Sequence, residues 1–206
     1  SDLMTRNTAE FTELLKPHYN DAVKYSRALC ATWSADDAED VLQQSFLLAL
    51  ENFHNLKDTS KFRSWFFKII TTTFYTAIRK HFWKKFLPMD DSGFNAPDMP
   101  EIYDRAEQSE SRMLLNKALG VLTAKERAAI LLFEIAGFSI EEIVTIQKER
   151  SLSAVKSRLS RARKKLKKQI TEQENFSVRS DDPYGDLNGD LETETLNLIA
   201  EIRSER

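Results

Sequence analysis

The 206-residue sequence predicts an all-α protein: two small helical domains joined by a flexible linker, with an acidic C-terminal extension. Three observations predict it. Apolar residues recur at helical spacing over long stretches. Only 5 Gly and 5 Pro are available to break them. Three of those prolines, Pro88, Pro97 and Pro100, fall with several acids in one segment, 87–109, whose composition cannot bury a core. The 41% hydrophobic content, with 13 Phe, is enough for a core on either side of it.

The first domain, 1–86, opens with Phe11, Leu14, Leu15, Tyr19, Ala22 and Val23 at helical spacing from about Thr8. After the turn Ser34-Ala-Asp-Asp37, a second helix carries Ala38, Leu42, Phe46, Ala49 and Phe53 on one stripe. Opposite that stripe lie Asp40, Gln43, Gln44, Leu47 and Glu51, polar with one leucine among them. An ordinary wet helix face explains this arrangement from spacing alone; a docking face for a partner protein is the functional alternative. The loop 55–61 leads into an aromatic-rich helix that reaches about Lys85. Its rings (Phe62, Trp65, Phe66, Phe67, Phe74, Tyr75, Phe82, Trp83) alternate with Arg63, Lys68, Arg79, Lys80, Lys84 and Lys85. Aromatics beside cations suit single-stranded nucleic acid, because bases stack on rings while cations follow phosphates. Phe66, Ile69 and Ile70 are read as core; Lys68, Thr72, Tyr75, Thr76 and Arg79 share one exposed polar face.

The second domain, 110–170, contains the most informative stretch of the chain. Thr123 with Glu126, and Ser139 with Glu142, each form a capping box that satisfies two amide donors at a helix start. A short helix after Ser139 is followed by a tight connection and by a second helix that Ser151 can cap. In that helix Val155, Leu159, Ala162 and Leu166 recur at 4, 3 and 4, one narrow apolar stripe. Ser157, Ser160, Arg161, Lys164 and Lys168 fall on the opposite side. A helix anchored by one face, with hydroxyls and long cations on the other, suits a DNA major groove. Solvation accounts for the charge alone, but not for a capped partner helix at helix-turn-helix spacing.

The net charge of −2 hides an asymmetry: 171–206 hold 10 acids and 3 cations, 1–170 hold 22 acids and 27 cations. Within the tail, Leu191, Leu198, Ile199 and Ile202 mark a short amphipathic helix. No apolar run approaches the roughly 20 residues that span a bilayer, and no signal peptide is read at the start, so no membrane insertion is expected. The lone Cys30, a small core residue by its setting, is compatible with a reducing cytoplasm. His18, His54 and His81 have no neighbours at metal-ligand spacing, and 5 glycines build no phosphate-cradling loop. No catalytic residue, metal or cofactor is expected.

These segments together resemble the extracytoplasmic-function (group 4) sigma factors, two-domain relatives of sigma-70. Asp37-Ala-Glu-Asp-Val-Leu-Gln-Gln-Ser-Phe46 is similar to the family's region 2.2, and Phe62 through Arg79 resembles regions 2.3 and 2.4. Leu119, 122–127, 137–143 and 155–163 resemble region 4. The resemblance covers about residues 8–170 with the motifs in order. It implies that the first domain binds the coiled coil of the largest subunit of core RNA polymerase through Asp40, Gln43, Gln44 and Leu47. It also implies that Arg63, Lys68, Thr72, Tyr75, Thr76, Arg79 and Lys80 read and melt the −10 element of promoter DNA. The −35 element would be read by Ser151, Ser153, Lys156, Ser157, Arg158, Ser160, Arg161 and Lys164. Chemistry then belongs to the polymerase, in the cytoplasm, and an anti-sigma factor joins the expected partners. The family usually carries Asn and Asp where this chain has Thr72 and Thr76. The turn 148–151 is one residue longer than usual and lacks its glycine. The rivals are a one-component helix-turn-helix regulator and a scaffold that never touches DNA.

Overall fold

The computed structural model describes residues 2–86 and 110–177, with side chains at 8–34, 36–80 and 113–172. The linker 87–109, the tail helix around Leu191 and the side chains of His81, Phe82, Trp83, Lys84 and Lys85 lie outside the described residues. Every regular element within them is helical. The chain divides into two compact units, up to Tyr103 and from Asp104.

The first unit contains α1 (Asp2–Leu15), α2 (Tyr19–Leu29), α3 (Ala35–Asn52) and α4 (Phe62–Phe86). The periodic run from Phe11 to Val23 is two helices rather than one. A 3₁₀ turn at Lys16–His18 separates them, with Pro17 at its start, where a missing amide N–H costs nothing. Ser34 caps α3 by accepting a bond from the Asp37 amide at 3.1 Å. Two more 3₁₀ turns, Phe53–Asn55 and Thr59–Lys61, carry the loop into α4. The Asp58 carboxylate accepts from the Ser60 amide at 3.0 Å, which starts the second of these turns.

Most of the described rings of α4 are core. Phe62, Phe66, Phe67, Ile70 and Phe74 are buried, joined by Ala22, Tyr25 and Leu29 of α2 and by Ala49 and Phe53. Phe66 meets Phe46 at 5.4 Å and Phe62 at 5.9 Å between ring centroids; Phe11 closes edge-on to Phe53 and Phe62. Ile69, read as core, is only half-buried. The buried Tyr25 hydroxyl and Thr71 Oγ1 are 2.8 Å apart. Thr71 spends its one proton on the Phe67 carbonyl, so Tyr25 is the donor and its burial raises no unsatisfied group. Burial holds the phenol well above its ordinary range.

The second unit contains α5 (Glu110–Gly120), α6 (Ala124–Glu134), α7 (Ile140–Gln147) and α8 (Leu152–Ser177). Residues 126–132 of α6 are all buried, as expected for a central helix apolar on most sides. Both capping boxes form: Thr123 with Glu126 at 3.3 and 3.0 Å, Ser139 with Glu142 at 3.2 and 2.8 Å. The buried Arg127 guanidinium donates to the Leu119 and Leu122 carbonyls and thereby closes the end of α5. Ile143 and Ile146 of α7, with Val155, Leu159, Ala162 and Leu166 of α8, complete the core. The apolar stripe of α8 is the face it buries, and its helix runs on past Ile170 to Ser177.

Candidate nucleic-acid interface and docking groove

On α3, Asp40, Gln43, Gln44 and Leu47 are all exposed, Leu47 by 56%. They line a groove of about 710 Å3 whose other wall is α4, with Thr72, Thr76 and Lys80. Two faces that the sequence presents as separate therefore border one concavity. Trp33 and Val41 contribute to its lining. The remaining α4 candidates, Arg63, Lys68, Tyr75 and Arg79, are not among its lining residues. Arg79 is exposed and donates to Thr76 Oγ1 at 3.1 Å, while Lys68 and Tyr75 are half-buried. The Arg63 guanidinium lies 5.6 Å over the Phe67 ring, half-buried beside His18. Burial and that guanidinium hold the His18 imidazole below its ordinary value. Of the described aromatic residues in α4, only Trp65 and Tyr75 retain partial exposure for stacking on bases.

The second unit presents a helix-turn-helix. Ser151 accepts a bond from the Ala154 amide at 3.2 Å and starts α8. Ser151, Ser153, Lys156, Ser157, Ser160, Arg161 and Lys164 are exposed on its outer side. Arg158, expected in the same row, is instead buried at 8% exposure. It pairs with Glu149 at 2.9 Å and donates to Gln147 Oε1 at 2.8 Å. The signal is in the spacing, since Arg158 follows Val155 by three residues and precedes Ala162 by four, on the flank of the buried stripe.

The glycine missing from the turn is replaced by Lys148, which adopts φ 54 and ψ 45. A left-handed non-glycine residue costs about 1 kcal/mol. The bonds made by its two neighbours offset that cost. Further along α8, Lys165 pairs with Glu126 at 2.8 Å, and Arg163 pairs with Glu134 while stacking 5.3 Å over the Phe133 ring. Arg161 is 61% exposed and only 3.8 Å from Glu126, a weak hold on a side chain facing outward.

Both carboxylates behind α8 titrate below their ordinary value of 4.5. For Glu149 the largest cause is the hydrogen bond from Arg158. For Glu126 burial pushes the carboxyl up, but the Lys165 and Thr123 hydrogen bonds together outweigh it. A depressed folded value contributes stability that is fully present above 4.5 and is lost as the pH falls through the folded value. Thermal melts of this unit should therefore weaken below that pH, and Glu149→Gln should make the acid limb shallower. An unchanged limb would show that Glu149 carries none of the effect.

The sequence matches the model of Sigma-70 region 2 over residues 14–84 and that of Sigma-70, region 4 over residues 112–166. The chain belongs to the sigma-70 family. Within that family it is an extracytoplasmic-function sigma factor. It is 30% identical over 159 residues to the ECF RNA polymerase sigma factor EcfG of Rhodopseudomonas palustris (strain TIE-1), covering 75% of this chain and 84% of that one. It is 29% identical over 151 residues to the RNA polymerase sigma factor SigV of Bacillus subtilis (strain 168), covering 73% and 86%. The fold is similar to that of sigma factor RpoE from Bartonella quintana, solved in complex with the anti-sigma factor NepR. That likeness has a TM-score of 0.60 at 24% identity and covers 79% of this chain and 97% of the other. Region 2 thus spans α2–α4, and region 4 is the four-helix unit with the helix-turn-helix. Among the described residues, no helix is long and apolar enough to cross a membrane.

Proposed function

We propose that this sigma factor joins core RNA polymerase through the α3 wall of the groove and directs initiation from promoters read by α4 and α8. Asp40, Gln43, Gln44 and Leu47 form the docking face. Thr72, Thr76, Arg79 and Lys80 line the path of the melted −10 strand, with Tyr75 available for stacking. The exposed row from Ser151 to Lys164, Arg158 excepted, enters the major groove at the −35 element. The observation that carries this reading is the row itself: seven exposed hydroxyl and cationic side chains on a helix whose other face is fully buried. The chain supplies placement and the polymerase supplies catalysis, so it is not an enzyme. Its site of action is the cytoplasm, and an anti-sigma factor that covers these faces is the expected class of regulator.

Run-off transcription with core polymerase and genomic promoter fragments tests the whole reading. Discrete transcripts that need both proteins support it. DNA binding without any capture of core polymerase would favour a one-component regulator instead. At residue level, Lys164→Ala should weaken DNA binding across sequences and lower the slope of log affinity against log salt by about 1, the loss of one phosphate contact. An unchanged slope removes Lys164 from the interface.

A further inference from the structure

The turn of the helix-turn-helix is closed by a ring of four residues, one from each of three helices and Glu149 of the turn itself. Lys125 at the start of α6 donates through Nζ to Glu149 at 3.2 Å. Its backbone carbonyl accepts from Gln147 Nε2 at 3.0 Å. Gln147 Oε1 in turn accepts from the Arg158 guanidinium at 2.8 Å, and the same guanidinium pairs with Glu149 at 2.9 Å. Gln147 and Glu149 flank Lys148, the left-handed residue that turns the chain from α7 into α8. One guanidinium thus holds both sides of that turn and itself belongs to the recognition helix. Gln147 is 5% exposed and the Arg158 and Glu149 side chains 10% and 11%, so these three sit largely out of water, where their bonds constrain direction; Lys125, 58% exposed, closes the ring from the solvent side.

We infer that Arg158 is a positioning residue for −35 recognition: with Glu149, Gln147 and Lys125 it fixes the angle at which α8 leaves the turn. It acts through Ser153, Lys156 and Ser157, on the turns of α8 that precede it, and does not touch DNA. The inference rests on the reading of α8 as the −35 helix. Both contacts of Arg158 leave one nitrogen, Nη1, whose N–H groups are fixed in the plane of the guanidinium and so point at the carboxylate and the amide oxygen in set directions. Lysine, a rotating ammonium on a flexible stem, retains the charge but does not fix those directions. Glu149 gives the opposite electrostatic expectation. Removing a negative charge from behind a DNA-binding helix should tighten binding to every sequence if charge alone mattered. If the ring sets the angle, Glu149→Gln should instead lose discrimination. The low titration of Glu149 agrees with a carboxylate held by Arg158.

The test uses holoenzyme reconstituted from the full chain and core polymerase, with a duplex pool randomised over the −35 positions. Wild type defines the preferred sequence, and each variant is compared on that duplex and on a scrambled one. Arg158→Lys and Glu149→Gln should each reduce the preferred-to-scrambled ratio about tenfold, one base pair's worth of discrimination. Binding of Arg158→Lys to the scrambled duplex should stay near wild type, with the salt slope unchanged. A wild-type ratio in both variants overturns the inference. So does a parallel loss on both duplexes accompanied by lost helical circular dichroism, which would make the ring merely structural. If wild type itself enriches no sequence at the −35 positions, the −35 reading of α8 fails and not the ring.

Discussion

Asp40→Lys should weaken assembly with core RNA polymerase at least about 100-fold, since a reversed charge at a complementary interface turns attraction into repulsion. The side chain is exposed on α3 and lines the groove, so no core contact is lost in the free protein. Helical circular dichroism and melting temperature should therefore stay at wild-type values. The position also sorts the contribution of charge from that of shape. Leu47, 56% exposed on the same wall, should contribute by burial, and Leu47→Ala should weaken assembly by less and without salt dependence. Affinity capture of purified core polymerase at two salt concentrations measures both. Normal holoenzyme assembly by Asp40→Lys would place the docking face elsewhere, and a loss of helix content would make Asp40 structural.

Features set by neighbours a few residues apart are legible in the sequence. Both capping boxes, the Ser151 cap and the α8 stripe need only three- and four-residue spacing, and each forms as that spacing predicts. Pro17 is equally visible, yet the periodicity of Phe11 to Val23 continues across it. A 3₁₀ turn preserves the apolar side while shifting the helix axis, so periodicity alone cannot detect it. The aromatic residues of α4 are ambiguous for a different reason. Composition cannot tell a ring stacked on a base from a ring stacked on Phe46, and four of them are core. What stays illegible depends on residues far apart in sequence. Lys125 and Glu149 are 24 positions apart, and α3 and α4 line the groove from separate parts of the chain. Arg158 shows both cases at once: its flank position is readable, but its partners are not.

Phe66→Ala should cost region 2 about 3–5 kcal/mol, because the ring is fully buried and its removal leaves a cavity among other rings. Phe46, Phe62 and Phe67 all contact it within 6.5 Å between centroids, and none is small or free enough to fill the space. Domain stabilities run about 5–15 kcal/mol, and a domain of this size sits near the lower end. The substitution therefore removes most of the margin of region 2. Polymerase capture should weaken, as is expected for Asp40→Lys, but for another reason: helix content and melting temperature fall with it. Region 4 has its own core of Ile143, Ile146, Val155 and Leu159, so the full chain should then melt in two steps, the first from region 2. The second step should coincide with that of wild-type region 4, and Glu149→Gln should move only that step. A single cooperative melt for Phe66→Ala, with both regions lost together, would show that the two units stabilise each other.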